Sequence, residues 1–268
     1  MHTLISLCFV LFSTVGLAKK QTEKASAESS YERGLRLLKN GYTERALEEF
    51  NRVRNYYRDD PISLKAQLAI ADTYFRKGDF EQGRQEYEEF ASYHPRHPDM
   101  DFVTWRIGQC IWKDAPHFAG RDQTKTRSAV NAWTGFSTRY PDSEYRADVE
   151  ELLQRGRDRL AVKEVYIAEF YARRGAWGAV RGRAEGVLDR YSDTEIAPVA
   201  SVLLGKALHK WGESAAAVSV LEHLTTKWPD DAATRKLGRL LARPAGTQPE
   251  EPVFIRPYRV RLPVIPGA

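Results

Sequence analysis

Apolar residues along the middle of this chain recur at i, i+3, i+4 and i+7, with polar positions between them. Leu64, Leu68, Ala71 and Phe75 form one such stripe, and Val103, Ile107, Cys110 and Ile111 form another. Ala200, Leu203, Leu204, Ala207 and Trp211 make a third. That period is helical and not alternating, so each stripe is the core-facing side of an amphipathic helix. The stripe Val149, Leu152, Leu153, Gly156, Leu160, Ile167, Tyr171 meets no breaker. It predicts one long helix from about Ser143 to Arg173, suited to joining two halves of a scaffold rigidly.

The stripes belong to a repeat. Gly41, Ala46, Phe50 and Val53 align with Gly78, Gly83, Tyr87 and Phe90 at a shift of 37 residues. Gly175, Val180, Ala184 and Val187 are followed at the same shift by Gly212, Ala217, Leu221 and Leu224, and Ala129, Trp133 and Phe136 mark a further copy. Repeats of this length are helical arrays, and the nearest pattern is the tetratricopeptide repeat. The glycine ahead of each second helix is read as a turn in which a Cβ would clash. The small residue (Ala46, Gly83, Ala129) lets two helices approach closely, and the aromatic four places on (Phe50, Tyr87, Trp133) fills the space beyond. His94-Pro95, Tyr140-Pro141 and Trp228-Pro229 mark stops, because proline cannot donate the next helical hydrogen bond.

The expected fold is therefore all-α, a right-handed superhelix of about five tetratricopeptide-like helix pairs. Units one to three occupy 29–141 and units four and five 142–242. Asp114 to Thr124, with its Gly, Pro and charges, reads as an exposed loop. Residues 243–268 hold six prolines and read as an extended tail, an edge strand or a partner-binding peptide.

The ends and the composition narrow the function. Leu4 to Leu17 is apolar but too short to span a bilayer, which takes about twenty residues. The run ends in Gly16-Leu17-Ala18, so 1–18 reads as a secretory signal and 19–28 as a polar tether. Cys110 is the one cysteine of the body, which leaves no internal disulfide and suits a buried small hydrophobe. A net charge of +5 suits an acidic partner but lacks the concentrated basic stripe of a nucleic-acid binder.

Catalytic constellations are absent. His94, His97, Asp99 and Asp101 are stiffened by Pro95 and Pro98 and lack the i, i+4 histidine spacing of helical zinc sites. Glu48-Glu49 and Glu88-Glu89 read as solvated helix faces. There is no P-loop, dinucleotide turn or nucleophile elbow. The chain is expected to be a binding protein with no cofactor, no metal and no enzymatic activity.

Two groups of residues are candidates for binding. Tyr31, Tyr42, Tyr56 and Tyr74 sit where the inner surface of the first two repeats would receive an apolar peptide, although several of them also suit the repeat core. Arg181, Arg183, Arg190 and Trp177 lie in a basic run of the fourth unit. That run reads either as a partner surface or as a solvated face balanced by Glu164, Glu169, Glu185 and Asp189.

The stretch Arg174-Gly-Ala-Trp-Gly-Ala-Val-Arg-Gly-Arg183-Ala-Glu-Gly-Val-Leu-Asp-Arg-Tyr191-Ser-Asp-Thr194 closely resembles one in the fourth repeat of the BamD family of outer-membrane assembly lipoproteins. The order His94-Pro-Arg-His-Pro-Asp, the 114–122 loop, Tyr140-Pro-Asp-Ser-Glu-Tyr145 and Asp158-Arg-Leu160-Ala is similar to it too. The resemblance implies a periplasmic scaffold at the inner face of the outer membrane, exported by its signal. Its C-terminal repeats would hold the POTRA domains of a BamA-like barrel protein, with Arg183 at the matching contact. Its N-terminal repeats would receive unfolded barrel proteins, and other lipoproteins of the machinery would be neighbours. Family members carry a small residue before an acylated cysteine; here Leu7 precedes Cys8, the candidate for lipidation. An adaptor for another envelope process, such as cell division or Tol–Pal coupling, is the alternative that the repeats alone allow.

Overall fold

In the computed structural model residues 26–245 are described, and among them every regular element is a helix. The segment holding the signal and Cys8, and the tail beyond 245, lie outside the described residues. Helix α1 covers 26–39, followed by α2 (Thr43–Tyr56), α3 (Ile62–Lys77), α4 (Phe80–Tyr93) and α5 (Met100–Lys113). Then come α6 (Thr124–Trp133), α7 (Phe136–Arg139), α8 (Arg146–Ala172), α9 (Trp177–Arg190), α10 (Ala197–Lys210), α11 (Ser214–Lys227) and α12 (Ala232–Leu241). No described helix is long and apolar enough to cross a membrane.

The chain forms two compact units. The first comprises 26–115 with Thr124–Leu153, and the second Pro116–Gln123 with 154–245. In the first unit α1 and α2, α3 and α4, and α5 with α6–α7 are successive pairs, each second helix also packing on the first helix of the next pair. Phe50, Tyr87 and Trp133 are fully buried at the repeat-equivalent positions, and truncating such a side chain costs about 3–5 kcal/mol. In the second unit the C-terminal part of α8 pairs with α9, and α10 with α11. α12 then covers the apolar face of that last pair through Leu237 and Ala233. Among the described residues the array therefore ends on a single capping helix after five pairs. The local sequence signals it weakly, with the Asp231 carboxylate accepting from Ala233 N–H at 2.6 Å to start it.

Three expectations change. The tether does not extend to residue 28, because α1 already runs at 26 and Ala27 is completely buried, with Ser26 Oγ 2.8 Å from Tyr57 Oη. A Cβ at Gly41 or Gly78 would meet nothing within 4 Å; glycine is needed there because φ is +81° and +84°, left-handed values that strain any other residue. Gly175 and Gly212 repeat that turn. Finally, Glu49 is not on a solvated face: it is 5% exposed, held between Arg33 and Arg52 at 3.4 Å each. One turn of helix carries Glu48 outward and Glu49 inward, and only the approach of α1 makes the inward position dry.

Candidate functional site

The first unit holds a cavity of about 790 Å³, open to solvent, walled by α1, α3, the start of α5 and the turn before α8. These are the first helices of successive pairs, so their exposed sides align along one surface. The apolar lining comes from Tyr31, Leu35, Leu68 and Phe102. At one end the rings of Trp105 and Tyr145 stack at 4.4 Å and 16°, with Phe102 tilted against both. The Arg106 guanidinium lies over Phe75, Trp105 and Phe102 at 4.5, 4.6 and 5.2 Å. Such a box immobilises the charge and screens it from water.

Asp72 links this end to the core. Its carboxylate accepts from the buried Tyr87 hydroxyl and sits 3.6 Å from Arg106 Nε. Burial first, and the Asp72 charge second, hold the Tyr87 phenol far above its ordinary pKa, so it remains a donor at any physiological pH. The same two causes raise Tyr31. The groove is thus apolar in its middle and charged at its margins, dimensions and chemistry that suit a short extended segment of polypeptide.

Of the four tyrosines named from sequence, Tyr31 lines this cavity and packs on Phe50. Tyr74 is part of the packing of the first repeat, while Tyr42 and Tyr56 are exposed away from the lining. Leu35, Phe102, Asp72 and Tyr145 complete the groove. They come from four separate elements, so no local spacing signals them.

In the second unit the candidate basic residues share α9 but differ in what they touch. Arg183 donates to the Glu164 carboxylate of α8 at 2.7 Å and keeps 44% of its side chain in solvent. Arg181 is engaged by Glu185 at 2.8 Å and by Glu213 at 3.0 Å. Arg190 is exposed over the Tyr191 ring, and Trp177 is partly buried against the core with Lys206 Nζ over its ring at 5.2 Å. Arg157, outside that set, clamps Asp193 through two hydrogen bonds of 2.5 and 3.1 Å and donates to Arg190 O as well.

A second surface of this unit escapes the helical-stripe reading. Val162, Tyr166 and Phe170, at i, i+4 and i+8 of α8, are exposed, and Phe118 meets Tyr166 edge-on at 6.0 Å. Arg174 covers the Phe170 ring at 3.5 Å. The loop carrying Phe118 is not simply exposed, as composition suggested. Gln123 is buried and donates to Pro116 O and Phe118 O, while Lys163 Nζ donates to Arg121 O at 3.0 Å. Ala115, just before it, is buried as well.

The His94 and His97 rings pack on Phe90 at 5.0 and 5.1 Å, and His97 Nδ1 accepts from Asp99 N–H. Among the described residues no group of three or more His, Cys, Asp or Glu is placed to hold a metal ion. Cys110 is buried, its thiol pushed up to about 12 by desolvation.

Residues 23–233 match the family model described as YfiO, outer membrane lipoprotein. Among curated proteins, the chain is similar to the outer membrane protein assembly factor BamD of Neisseria meningitidis serogroup A. It is 24% identical to it over 225 residues, which cover 81% of this chain and 84% of the relative. It is 25% identical to BamD of Xylella fastidiosa strain 9a5c, covering 80% and 76%. To BamD of Vibrio cholerae it is 27% identical over 169 residues, covering 60% and 70%.

Proposed function

The chain belongs to the YfiO outer membrane lipoprotein family, and we propose that it is a non-enzymatic outer membrane protein assembly factor that binds unfolded barrel proteins through the groove of its first unit. The observation that carries this reading is the groove itself: apolar lining, charged margins and a wall locked by the Asp72–Tyr87–Arg106 contacts. Preformed walls lower the entropy lost on binding, which is what a receptor for flexible chains requires. In the second unit the α9 face with Arg183 is the docking surface for the POTRA domains of a BamA-like barrel protein, at the periplasmic face of the outer membrane. Arg183 supports that role because its planar fork suits a partner carboxylate and nearly half of it is already in water.

The test is recovery of the tagged protein from gently solubilised envelopes, wild type beside Arg183→Glu and Leu68→Glu. The expected result is co-purification of a POTRA-bearing barrel protein that weakens with Arg183→Glu. Unfolded barrel proteins should crosslink to the wild type and lose that crosslink with Leu68→Glu. Recovery of other envelope proteins without the barrel would move the protein to the adaptor role in another envelope process.

A further inference from the structure

In the second unit α8 leaves a ridge of rings in water. Val162, Tyr166 and Phe170 follow at four-residue steps and are all exposed, and Phe118, edge-on to Tyr166, is 61% exposed. At 3.6 residues per turn the buried Ala161 and Ala168 fall on the opposite side of the helix. Glu164, which holds Arg183 of α9, falls there too. The ridge is therefore a face of its own, separate from the Arg183 contact. A run of large apolar side chains in water marks a surface that something covers.

The charge on this face is one-sided. Arg155, Arg159, Lys163 and Arg173 lie on the same side of the helix as the ridge, and Arg174 covers the Phe170 ring at 3.5 Å. Against them stand Asp158 and Glu169, and Asp158 already accepts from Gln154 at 3.3 Å. The Lys163 amine is 3.0 Å from Arg121 O, which sets a cation beside the loop that carries Phe118. A second copy of this chain does not suit such a face, because a two-fold contact centred on Tyr166 would set Arg159 against Arg173. From Arg155 to Arg173 is about 27 Å at the helical rise. A folded acidic partner would need carboxylates fixed at matching points over that whole length. Lipid headgroups move laterally and gather under each cation, and rings on a ridge enter a bilayer interface.

From this we propose that the second unit docks on an anionic phospholipid surface through this face of α8, with Phe118, Tyr166 and Phe170 in the interface and Lys163, Arg173 and Arg174 at the level of the phosphates. A helix can lie there because its backbone hydrogen bonds are internal. The outer-membrane location proposed above brings such a surface within reach, and the inference uses neither the groove of the first unit nor the POTRA contact.

The experiment is co-sedimentation of the full chain with vesicles of phosphatidylcholine alone, or of phosphatidylcholine and phosphatidylglycerol in equal parts, at low and at high salt. The wild type should bind the anionic vesicles at low salt in clear excess over phosphatidylcholine alone. Arg173→Gln/Arg174→Gln should lower that partition about fivefold for each cation removed. Phe118→Ser/Phe170→Ser should lower it about tenfold and leave its salt dependence unchanged. Arg58→Gln/Arg96→Gln removes the same charge from exposed positions of the first unit and should bind as the wild type does. The apolar run Leu4 to Leu17 is common to every variant, so any affinity of its own cancels. All the substituted side chains are exposed, and an unchanged circular dichroism spectrum secures the comparison. An equal loss in Arg58→Gln/Arg96→Gln would reduce the attraction to net charge and overturn the site. Full binding by Phe118→Ser/Phe170→Ser would show that the rings stay out of the interface and overturn it too. If the wild type ignores anionic vesicles but is captured by poly-glutamate, and Arg173→Gln/Arg174→Gln is not, the face serves an acidic protein and the lipid proposal falls.

Discussion

The indole of Trp133 occupies the space that a side chain on Gly108 would need. An ideal Cβ there would overlap the ring at Nε1, Cε2 and Cδ1, and the indole N–H donates to Trp105 O at 3.2 Å. Gly34, facing Phe50, and Ala71, packed with Tyr87, stand at the equivalent first-helix positions at the same 37-residue spacing. The repeat thus pairs a small first-helix residue with a large second-helix ring.

Gly108→Ala should therefore destabilise the first unit by about 1–3 kcal/mol through overpacking, seen as a lower urea midpoint. Gly41→Ala, strained only in φ, should cost about 1–2 kcal/mol. A double variant Gly108→Ala/Trp133→Phe that recovers part of the loss would identify the contact as the cause; no loss in Gly108→Ala would refute it.

Cys110 should be nearly inert in the folded protein. With its thiol pushed up to about 12 by burial, roughly one molecule in ten thousand is thiolate at pH 8. Alkylation by iodoacetamide should follow global unfolding and accelerate sharply in urea. Because the folded pKa lies above the unfolded one, this group's contribution is intact below about pH 8.5 and declines as pH rises towards 12. Rapid labelling under native conditions would contradict the burial.

The Arg157–Asp193 clamp should respond to acid. The hydrogen bond from Arg157 holds the Asp193 carboxyl below its ordinary value, so its contribution is present above about pH 4 and is lost as pH falls through the lowered folded pKa. Half of the Asp193 side chain is in water, which limits the pair to about 0.5–1 kcal/mol. Arg157→Ala should lower the denaturation midpoint at pH 7 by more than it does near pH 2, where only the contacts to Arg190 O and the Tyr191 ring remain to be lost. An equal deficit at both values would assign the loss to packing.

Gln123→Ala should loosen the 116–123 loop, because its amide is what ties Pro116 O and Phe118 O together. A loss of about 1–2 kcal/mol and faster proteolysis near Phe118 are expected. Unchanged cleavage would show that Lys163 and the Phe118–Tyr166 contact suffice.

Arg183→Gln should weaken POTRA binding by about 2–5 kcal/mol if its guanidinium meets a buried partner carboxylate. Glu164→Gln, which releases the same guanidinium inside the chain, should leave binding intact or strengthen it. A change under about 0.5 kcal/mol in Arg183→Gln would remove Arg183 from the interface, since exposed pairs alone reach that size. Arg183→Glu is the harsher variant, because it sets two carboxylates against each other beside α8.

What the sequence determined by itself is everything carried by short-range periodicity. The paired helices, the glycine turns, the aromatics Phe50, Tyr87 and Trp133, the proline stops and the unbroken run through α8 follow from spacings of a few residues. The local stretch 174–194 carries enough particular residues to point to the family. The tertiary structure decided what lies between helices. Tyr31, Asp72, Phe102 and Tyr145 share a groove though they span more than a hundred positions, because stacked first helices present one face each. Glu49 and Glu48 have the same local pattern, yet only the approach of α1 buries one of them. Burial and charge matching belong to surfaces in contact, and a contact between distant segments leaves no period in the chain.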